Sequence, residues 1–212
     1  MGKLYDVGNL IVFGIKIQLY FLLRILLGGI IFGIFPAFLF LYRVIHSCFD
    51  ERSISHIDLS KEIKRVEKKE MVKINIIGYV CSLLLYILTL NIQISRLFIG
   101  SRQLNIVTLV LIVSVIATSL HALPILSKYE LPVRQYFLQA FLLSVISIFD
   151  TLAMVIGMFL AFALGLIIPP LGLFAGFPLL FIPYVWFSRS SIVRLEAVLY
   201  KEQNFIGESN VD

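Results

Sequence analysis

The sequence predicts an all-α membrane protein, a polytopic transmembrane helical bundle of about five spans with amphipathic helices on its cytoplasmic face. Three runs without charge, of 18, 22 and 25 residues, lie between Arg24 and Arg43, Lys73 and Arg96, and Arg102 and Lys128. A fourth run of 54 residues ends at Arg189 and contains a single charge, Asp150. A hydrocarbon core of about 30 Å takes about 20 residues of helix, so the long run is two spans.

The composition agrees with a membrane protein. Apolar residues make up 59% of the chain, charged residues 15%, and the mean hydropathy is +0.97. Soluble domains carry about 25% charged residues. The spans consume most of the 212 residues, so we predict a single membrane domain, 1–212, without a second folded domain.

We place the elements by these runs. The predicted spans are 25–45, 74–95, 103–127, 150–168 and 171–188, with a basic cytoplasmic loop at 46–73, a cytoplasmic-face helix at 128–149 and a C-terminal tail at 189–212. Residues 1–24 read as an interfacial or amphipathic segment, because Lys16 or Arg24 at mid-membrane would cost about 2.5 to 3.5 kcal/mol each. If this segment crossed instead, there would be six spans and the N-terminus would be inside.

The basic residues predict the orientation. With five spans, thirteen Lys and Arg residues fall on one side and four on the other. Positive loops are retained in the cytoplasm. We therefore expect a multi-pass protein of the cell membrane with its N-terminus outside and its C-terminus in the cytoplasm.

Two segments of the cytoplasmic face are candidate docking elements. Apolar residues recur at helical spacing through 58–72, and the basic positions between them are Lys61, Lys64, Arg65, Lys68 and Lys69. The second segment begins after Pro132 and carries Arg134. These residues predict either attraction to anionic lipid, at about 1 kcal/mol per basic residue, or docking to a partner protein.

Small residues at four-residue spacing mark candidate helix-packing faces. They are Gly29 and Gly33 in the first span and Ala153, Gly157, Ala161 and Gly165 in the fourth. Such positions let helix backbones approach closely in lipid. The pattern leaves open whether the contacts are within one chain or between chains. Pro36 predicts a kink in the first span, and Pro178 and Pro183 predict kinks in the fifth.

Asp150 is a candidate helix cap or polar site. An acidic residue inside a membrane is a candidate proton or cation site. If the fourth span begins at this residue, however, the carboxylate lies at the water boundary as an N-cap. We favour the cap, because the run to Ile168 is then still long enough to cross.

The sequence shows no convergent catalytic set, so we predict a protein that is not an enzyme and has no cofactor or metal. His46, Cys48 and His56 lack a recognised ligand spacing. His121 is expected to be buried and bonded to a neighbouring helix. The excess of Lys and Arg is explained by the orientation of the protein in the membrane, so nucleic-acid binding is not expected. The polar residues available to line a path at mid-membrane are Asn75, Asn91, Gln93, Ser114, Ser119 and His121.

Three segments resemble the YesL-like family of bacterial integral membrane proteins. They are GGIIFGIFPAFLFLYRVI (Gly28 to Ile45), EKKEMVKINIIGYV (Glu67 to Val80) and ALPILSKYELPVRQYFLQAFLLS (Ala122 to Ser144). The sequence departs from the family pattern at Gln139 and at Phe149 with Asp150. These departures put the start of the fourth span in doubt.

The resemblance implies a function by association. Such proteins occur in Gram-positive bacteria and are often encoded beside carbohydrate ABC importers. We therefore expect a non-enzymatic accessory protein that binds or regulates the permease subunits of such an importer, with the lipid bilayer as its surroundings. The alternative is a small secondary transporter or channel for a small solute, which would need a polar path through the bundle.

Overall fold

The computed structural model describes residues 2–50 and 68–209, with side chains in 11–50, 70–97 and 100–197. Within these ranges the protein is all-α, as predicted. The helices are α1 (Gly2–Leu27), α2 (Ile34–Asp50), α3 (Lys68–Ile94), α4 (Arg102–Lys128), α5 (Val133–Ile146), α6 (Ile148–Ile167) and α7 (Pro169–Ser209). A π-helical turn, Ser95–Ile99, extends α3.

Four of the described helices are long and apolar enough to cross a membrane, and their candidate spans are Glu70–Leu97, Arg102–Lys128, Ile148–Ile167 and Pro169–Ala197. They form two antiparallel hairpins. In the first, Thr108 of α4 donates to Asn91 Oδ1 of α3 at 3.2 Å, and Gly100 turns the chain with φ +62°. In the second, α6 runs back along α7.

The ends of the hairpins differ in charge. One end, named here the basic end, carries Arg43, Lys73, Lys128, Arg189 and Arg194, which contact residues of neighbouring elements there. The opposite end carries Arg96 and Arg102 at the turn between α3 and α4. The basic ends of α2, α3, α4 and α7 therefore lie together.

The helix predicted for the first span, 25–45, is interrupted. α1 ends at Leu27 and α2 begins at Ile34. Between them Gly29 has φ +68° and Ile30 has φ +60°, a left-handed conformation that glycine adopts without strain. Pro36 does not kink a span but lies in the first turn of α2, where its missing N–H costs nothing.

α1 packs against α7 near the kink of α7. Gly14 lies against Ala175, and Gln18 accepts from the Phe177 N–H at 3.3 Å. The rings of Phe21 and Phe177 pack at a tilt, with their centroids 4.6 Å apart. The stretch of α1 from Gly14 to Phe21 thus contacts α7 around its non-helical residue, between Ala175 and Phe177.

α5 lies at the basic end, inside the predicted 128–149 segment. An extended connection precedes it, where Tyr136 accepts from the Leu131 N–H and donates to the Tyr129 carbonyl. α5 buries Tyr136, Ala140, Leu143 and Ser144 against α3, α4 and α7 and exposes its other apolar side chains. The second core cluster of the protein lies beneath it.

α6 and α7 differ from their predicted bounds. α6 begins at Ile148, two residues before the predicted start. α7 does not stop at 188 but continues as helix to Ser209, so most of the predicted tail is helical. Its backbone is non-helical at Ala175, three residues before Pro178, because a proline ring displaces the preceding turn.

Candidate functional site: a charged pocket at the basic end

A half-enclosed cavity of about 650 Å³ opens at the basic end between α2, α3, α4 and α7. Its charged or titratable lining residues are Arg43, His46, Asp50, Glu70, Lys128, Glu130 and Arg189, and Tyr42, Pro124 and Ile192 are among those that complete the wall. We call this cavity the charged pocket. The charged pocket lies at the ends of the candidate spans and opens to the outside of the bundle.

Arg43 and Glu70 join α2 to α3 at one wall of the charged pocket. Two guanidinium nitrogens of Arg43 donate to the two Glu70 oxygens at 3.0 and 2.8 Å. Both side chains are mostly buried, with 13% and 22% of their surface exposed. Bidentate pairs of this kind are strong and directional. The pair therefore sets the spacing of α2 and α3.

Asp50 bridges α2 to α7 at the mouth of the pocket. Its carboxylate contacts Arg189, and its other oxygen lies 3.0 Å from His46 Nδ1, one helical turn earlier. Burial lowers the pKa of His46 below its usual value, and Asp50 offsets part of this effect. Asp50 therefore holds two partners from two helices.

Glu196 connects α7 to the end of α4. Lys128 Nζ lies 2.5 Å from its carboxylate, and Tyr129 donates to the same oxygen at 3.0 Å. Burial and this neighbouring carboxylate raise the pKa of Tyr129. These groups are largely exposed, and exposed ion pairs contribute about 0 to 1 kcal/mol. Their main effect is to hold the end of α4 beside α7.

Two pairs of polar side chains are buried in the bundle. Tyr42, which lines the pocket, is hydrogen-bonded to Ser188 at 3.1 Å, and both are buried. Deeper, His121 Nε2 lies 2.8 Å from Thr151 Oγ1. Thr151 donates to the Ser147 carbonyl, so it accepts from His121. His121 is therefore buried and bonded to α6, as predicted.

Asp150 is not a helix cap. Ser147 occupies the N-cap position of α6, and Asp150 lies inside the first turn with 6% of its surface exposed. Ser191 donates to its carboxylate at 3.4 Å, and Arg194 Nε lies at the same distance. Because the helix begins earlier than the charge pattern indicated, the carboxylate binds α7 instead of the helix start.

The small residues of α6 pack within the chain. A Cβ at Gly157 would lie 2.7 Å from Pro183 Cβ of α7, and one at Gly165 would lie 3.4 Å from Gly172. Ala153 and Ala161 are partly buried on this helix, and Ala161 also lines an apolar groove beside Gly165. The sequence left open whether these small residues make contacts within one chain or between chains. The contacts of Gly157 and Gly165 lie within the chain, where α6 packs closely on α7.

The two glycines of the predicted first span have different roles. Gly33 packs at the turn, where a Cβ would lie 2.5 Å from the Ile25 carbonyl. A Cβ at Gly29 would meet nothing within 4 Å, and Gly29 supplies the left-handed backbone of the turn. Gly29 is therefore a turn residue and not a packing residue, which corrects the prediction from spacing.

The predicted docking residues are only partly described. Lys61, Lys64 and Arg65 lie outside the described residues, and Lys68 and Lys69 are described only as the start of α3. Arg134 is exposed at the start of α5. Within the described part of the chain, no group of three His, Cys, Asp or Glu side chains could hold a metal ion.

Three of the candidate residues for a mid-membrane path, Asn75, Asn91 and Ser119, have hydrogen-bond partners within the protein. Asn75 donates to the Phe32 carbonyl at the α1–α2 turn, and Asn91 pairs with Thr108. Ser119 donates to the carbonyl of Val115 in its own helix. These hydrogen bonds occupy separate places in the bundle.

Sequence reasoning did not identify the ion pairs that form the pocket. Arg43 and Glu70 were assigned to a span end and a loop helix, and Asp50 and Arg189 are far apart in the chain. The usable signal was that Arg43 and Arg189 each end a long run with little or no charge, which places them at span ends; Glu70 and Asp50 do not adjoin such a run. Which span ends pair depends on helix order, which the charge pattern does not contain.

Comparison with known proteins adds a family match. Neither the curated proteins nor the solved structures gave a match. Residues 15–92, which contain the second half of α1, all of α2 and nearly all of α3, include two of the three segments that carry the resemblance to the YesL-like proteins. These residues match the family described as "Protein of unknown function, DUF624", to which the YesL-like proteins belong.

Proposed function

We propose that this chain is a non-enzymatic accessory protein that binds and regulates another integral membrane protein, the permease of a carbohydrate ABC importer in a Gram-positive bacterium. The choice of a carbohydrate ABC importer as the partner rests on the resemblance to the YesL-like family. The single structural observation that supports binding to a membrane partner is the hairpin half formed by residues 82–113, named here the arm.

The arm is little covered by the rest of the protein. Among its described side chains only Ser95 and Thr108 are buried. Its exposed apolar side chains include Leu83, Tyr86, Leu97, Val107 and Val110, with 60% or more of their surface exposed. The two helices of the arm are connected to each other through Asn91 and Thr108. The arm therefore offers two nearly complete helix faces to its surroundings.

Polar groups on the arm favour a protein over lipid as the neighbour. Asn91 and Gln93 are exposed near the opposite end of α3. Side-chain amides join transmembrane helices through hydrogen bonds, whereas lipid tails offer no partner. A permease helix lying along the arm would cover these amides and bury apolar side chains at the same time.

The proposed orientation puts the charged pocket in the cytoplasm. The basic end carries most of the described Lys and Arg side chains, and positive ends are retained inside. The C-terminus is then cytoplasmic and the N-terminus outside, in a cell membrane. A regulatory partner or small effector in the cytoplasm would reach the pocket directly.

Affinity purification in mild detergent tests this function. The full chain, expressed at its native level, should retain permease subunits in amounts comparable to its own. The change Gln93→Leu should reduce that recovery, because it removes an exposed amide while keeping the helix apolar and leaving the Asn91–Thr108 contact intact. The matched change Gln103→Leu, at an exposed amide beside the turn, should not. Wild-type protein that recovers no permease would contradict the proposal.

A small transporter or channel is the second candidate. It is favoured by the polar side chains buried in the bundle, the pairs Tyr42–Ser188 and His121–Thr151. Purified protein in vesicles should then move solute, alone or under an ion gradient, and Thr151→Val should slow it. Vesicles without flux would remove this candidate.

A further inference from the structure

α4 contains a proline whose missing hydrogen bond is replaced from another helix. Pro124 lies inside α4 and has no N–H, so it cannot donate to the carbonyl four residues earlier, that of Leu120. The Tyr184 hydroxyl of α7 donates to this same carbonyl at 2.5 Å. The backbone acceptor that the proline leaves without its helical partner is therefore satisfied by α7.

Tyr184 is held so that its hydroxyl has little freedom. Only 2% of its surface is exposed. Its ring packs edge-on against Tyr42, with centroids 5.8 Å apart, and against Phe181, at 5.2 Å. A buried hydroxyl without a partner costs about 1 to 3 kcal/mol. Tyr184 and the Leu120 carbonyl thus each depend on the other.

The turns of α4 that precede the proline are also suited to bending. Thr118 donates to the Ser114 carbonyl at 2.8 Å, and Ser119 donates to the Val115 carbonyl at 2.7 Å. Back-bonding of this kind competes with the helical hydrogen bonds and often bends helices. Together with Pro124, these residues weaken the helical hydrogen bonding of α4 between Ser114 and Pro124.

This weak segment separates the arm from the charged pocket. The arm ends at Val113, immediately before Ser114. Pro124, Leu126 and Lys128 lie on the other side and line the pocket. A change of angle at the proline would therefore move the arm relative to the pocket wall and to the α6–α7 hairpin.

We propose that Pro124 forms a hinge in α4 and that the Tyr184 hydroxyl is the pin that fixes its angle, so that α7 sets the position of the arm. The hinge is independent of the identity of any partner and goes beyond the proposed function. Helix kinks at proline are common. Here the carbonyl that lacks its helical donor lies in the α3–α4 hairpin, and the hydroxyl that donates to it lies in the α6–α7 hairpin. The hydrogen bond therefore joins the two hairpins at the proline, in addition to the His121–Thr151 contact and the Lys128–Glu196 pair, which also join them.

Distance measurements between spin labels test the hinge. Labels are attached at Val110→Cys on the arm and Leu160→Cys on α6, both exposed, in a chain whose Cys48 and Cys81 are replaced by serine. Tyr184→Phe should broaden or shift the label-to-label distance distribution, because it removes only the pin. Tyr86→Phe, at an exposed tyrosine of the arm, is the matched control and should leave the distribution unchanged.

The proline provides the decisive comparison. In a Pro124→Ala chain the new N–H can donate to Leu120, so Tyr184→Phe should no longer change the distribution. If Tyr184→Phe alone fails to fold, recovery of folding by Pro124→Ala supports the pin and absence of recovery overturns it. An unchanged distribution in Tyr184→Phe, or an equal broadening with and without the proline, also overturns it.

Discussion

Individual charged residues of this protein act by joining helices that lie far apart in the chain. Asp150 was expected at a helix start, yet its carboxylate contacts Ser191 and Arg194 of α7. Asp50 likewise joins His46 and Arg189. The span-end positions of Asp150 and Arg189 could be predicted from the charge pattern. The partners of the two carboxylates could not, because pairing depends on which helices are neighbours.

A double-mutant cycle tests the Asp150 contact. Asp150→Asn and Arg194→Gln should each lower the thermal stability of the protein in detergent, and the pair should show a coupling of about 0.5 to 3 kcal/mol. The cycle of Asp150 with Arg134, which lies on the exposed start of α5, is the control and should show none. If Asp150→Asn left the thermal stability unchanged, the interpretation of Asp150 as a helix cap would be favoured again, because asparagine caps a helix about as well as aspartate.

His46 predicts a pH dependence. Its pKa in the folded protein is lowered from 6.5, mainly by burial, so the unfolded chain binds more protons below that value. Stability should therefore rise as the pH rises toward about 6.5 and fall on acidification below it. His46→Gln should reduce this dependence when melting temperatures are compared at several pH values. An unchanged slope in His46→Gln would contradict the assignment.

At the scale of elements, close backbone contact determines how α6 meets α7. The four-residue spacing of small residues predicted a packing face, and the structure places Gly157 against Pro183 and Gly165 against Gly172. Spacing failed at Gly29, because a glycine serves a turn as well as a contact and the sequence pattern is the same for both. It failed again for the span 25–45, since a run without charge can include a helix break.

Gly157→Ala tests the packing of α6 on α7. The added Cβ would lie 2.7 Å from Pro183 Cβ, and overpacking of this kind costs about 1 to 3 kcal/mol. Gly176→Ala is the matched control on α7, because its Cβ would meet nothing within 4 Å. We expect a lower melting temperature for the first and no decrease for the second. Equal effects of the two changes would contradict the contact.

For the whole molecule, the helical membrane bundle was predictable because apolar runs of span length have few other solutions in water or lipid. The succession of the spans along the chain was also predictable from the sequence, whereas their neighbours in space were not. The path of α1 was not, because its contacts with α7 at Ala175 and Phe177 depend on a kink that spacing does not reveal. The charged pocket required the full arrangement of α2, α3, α4 and α7.

Cysteine labelling tests the orientation of the molecule. In a chain without native cysteines, Ser127→Cys at the basic end should be protected from a membrane-impermeant reagent in intact cells. Ser101→Cys at the turn between α3 and α4 should react. Permeabilised cells provide the control, since both positions should then be reached. Reaction at Ser127→Cys in intact cells would invert the proposed topology.

Site-specific photocrosslinking tests the central claim, that the arm binds a permease. A photoreactive amino acid replaces Leu83 or Val110 on the arm, or Phe159 on the exposed side of α6, and cells at native expression are irradiated. We predict permease adducts from both arm positions and none from Phe159. Adduct formation at Phe159 alone, or no protein adduct from either arm position, would contradict the claim.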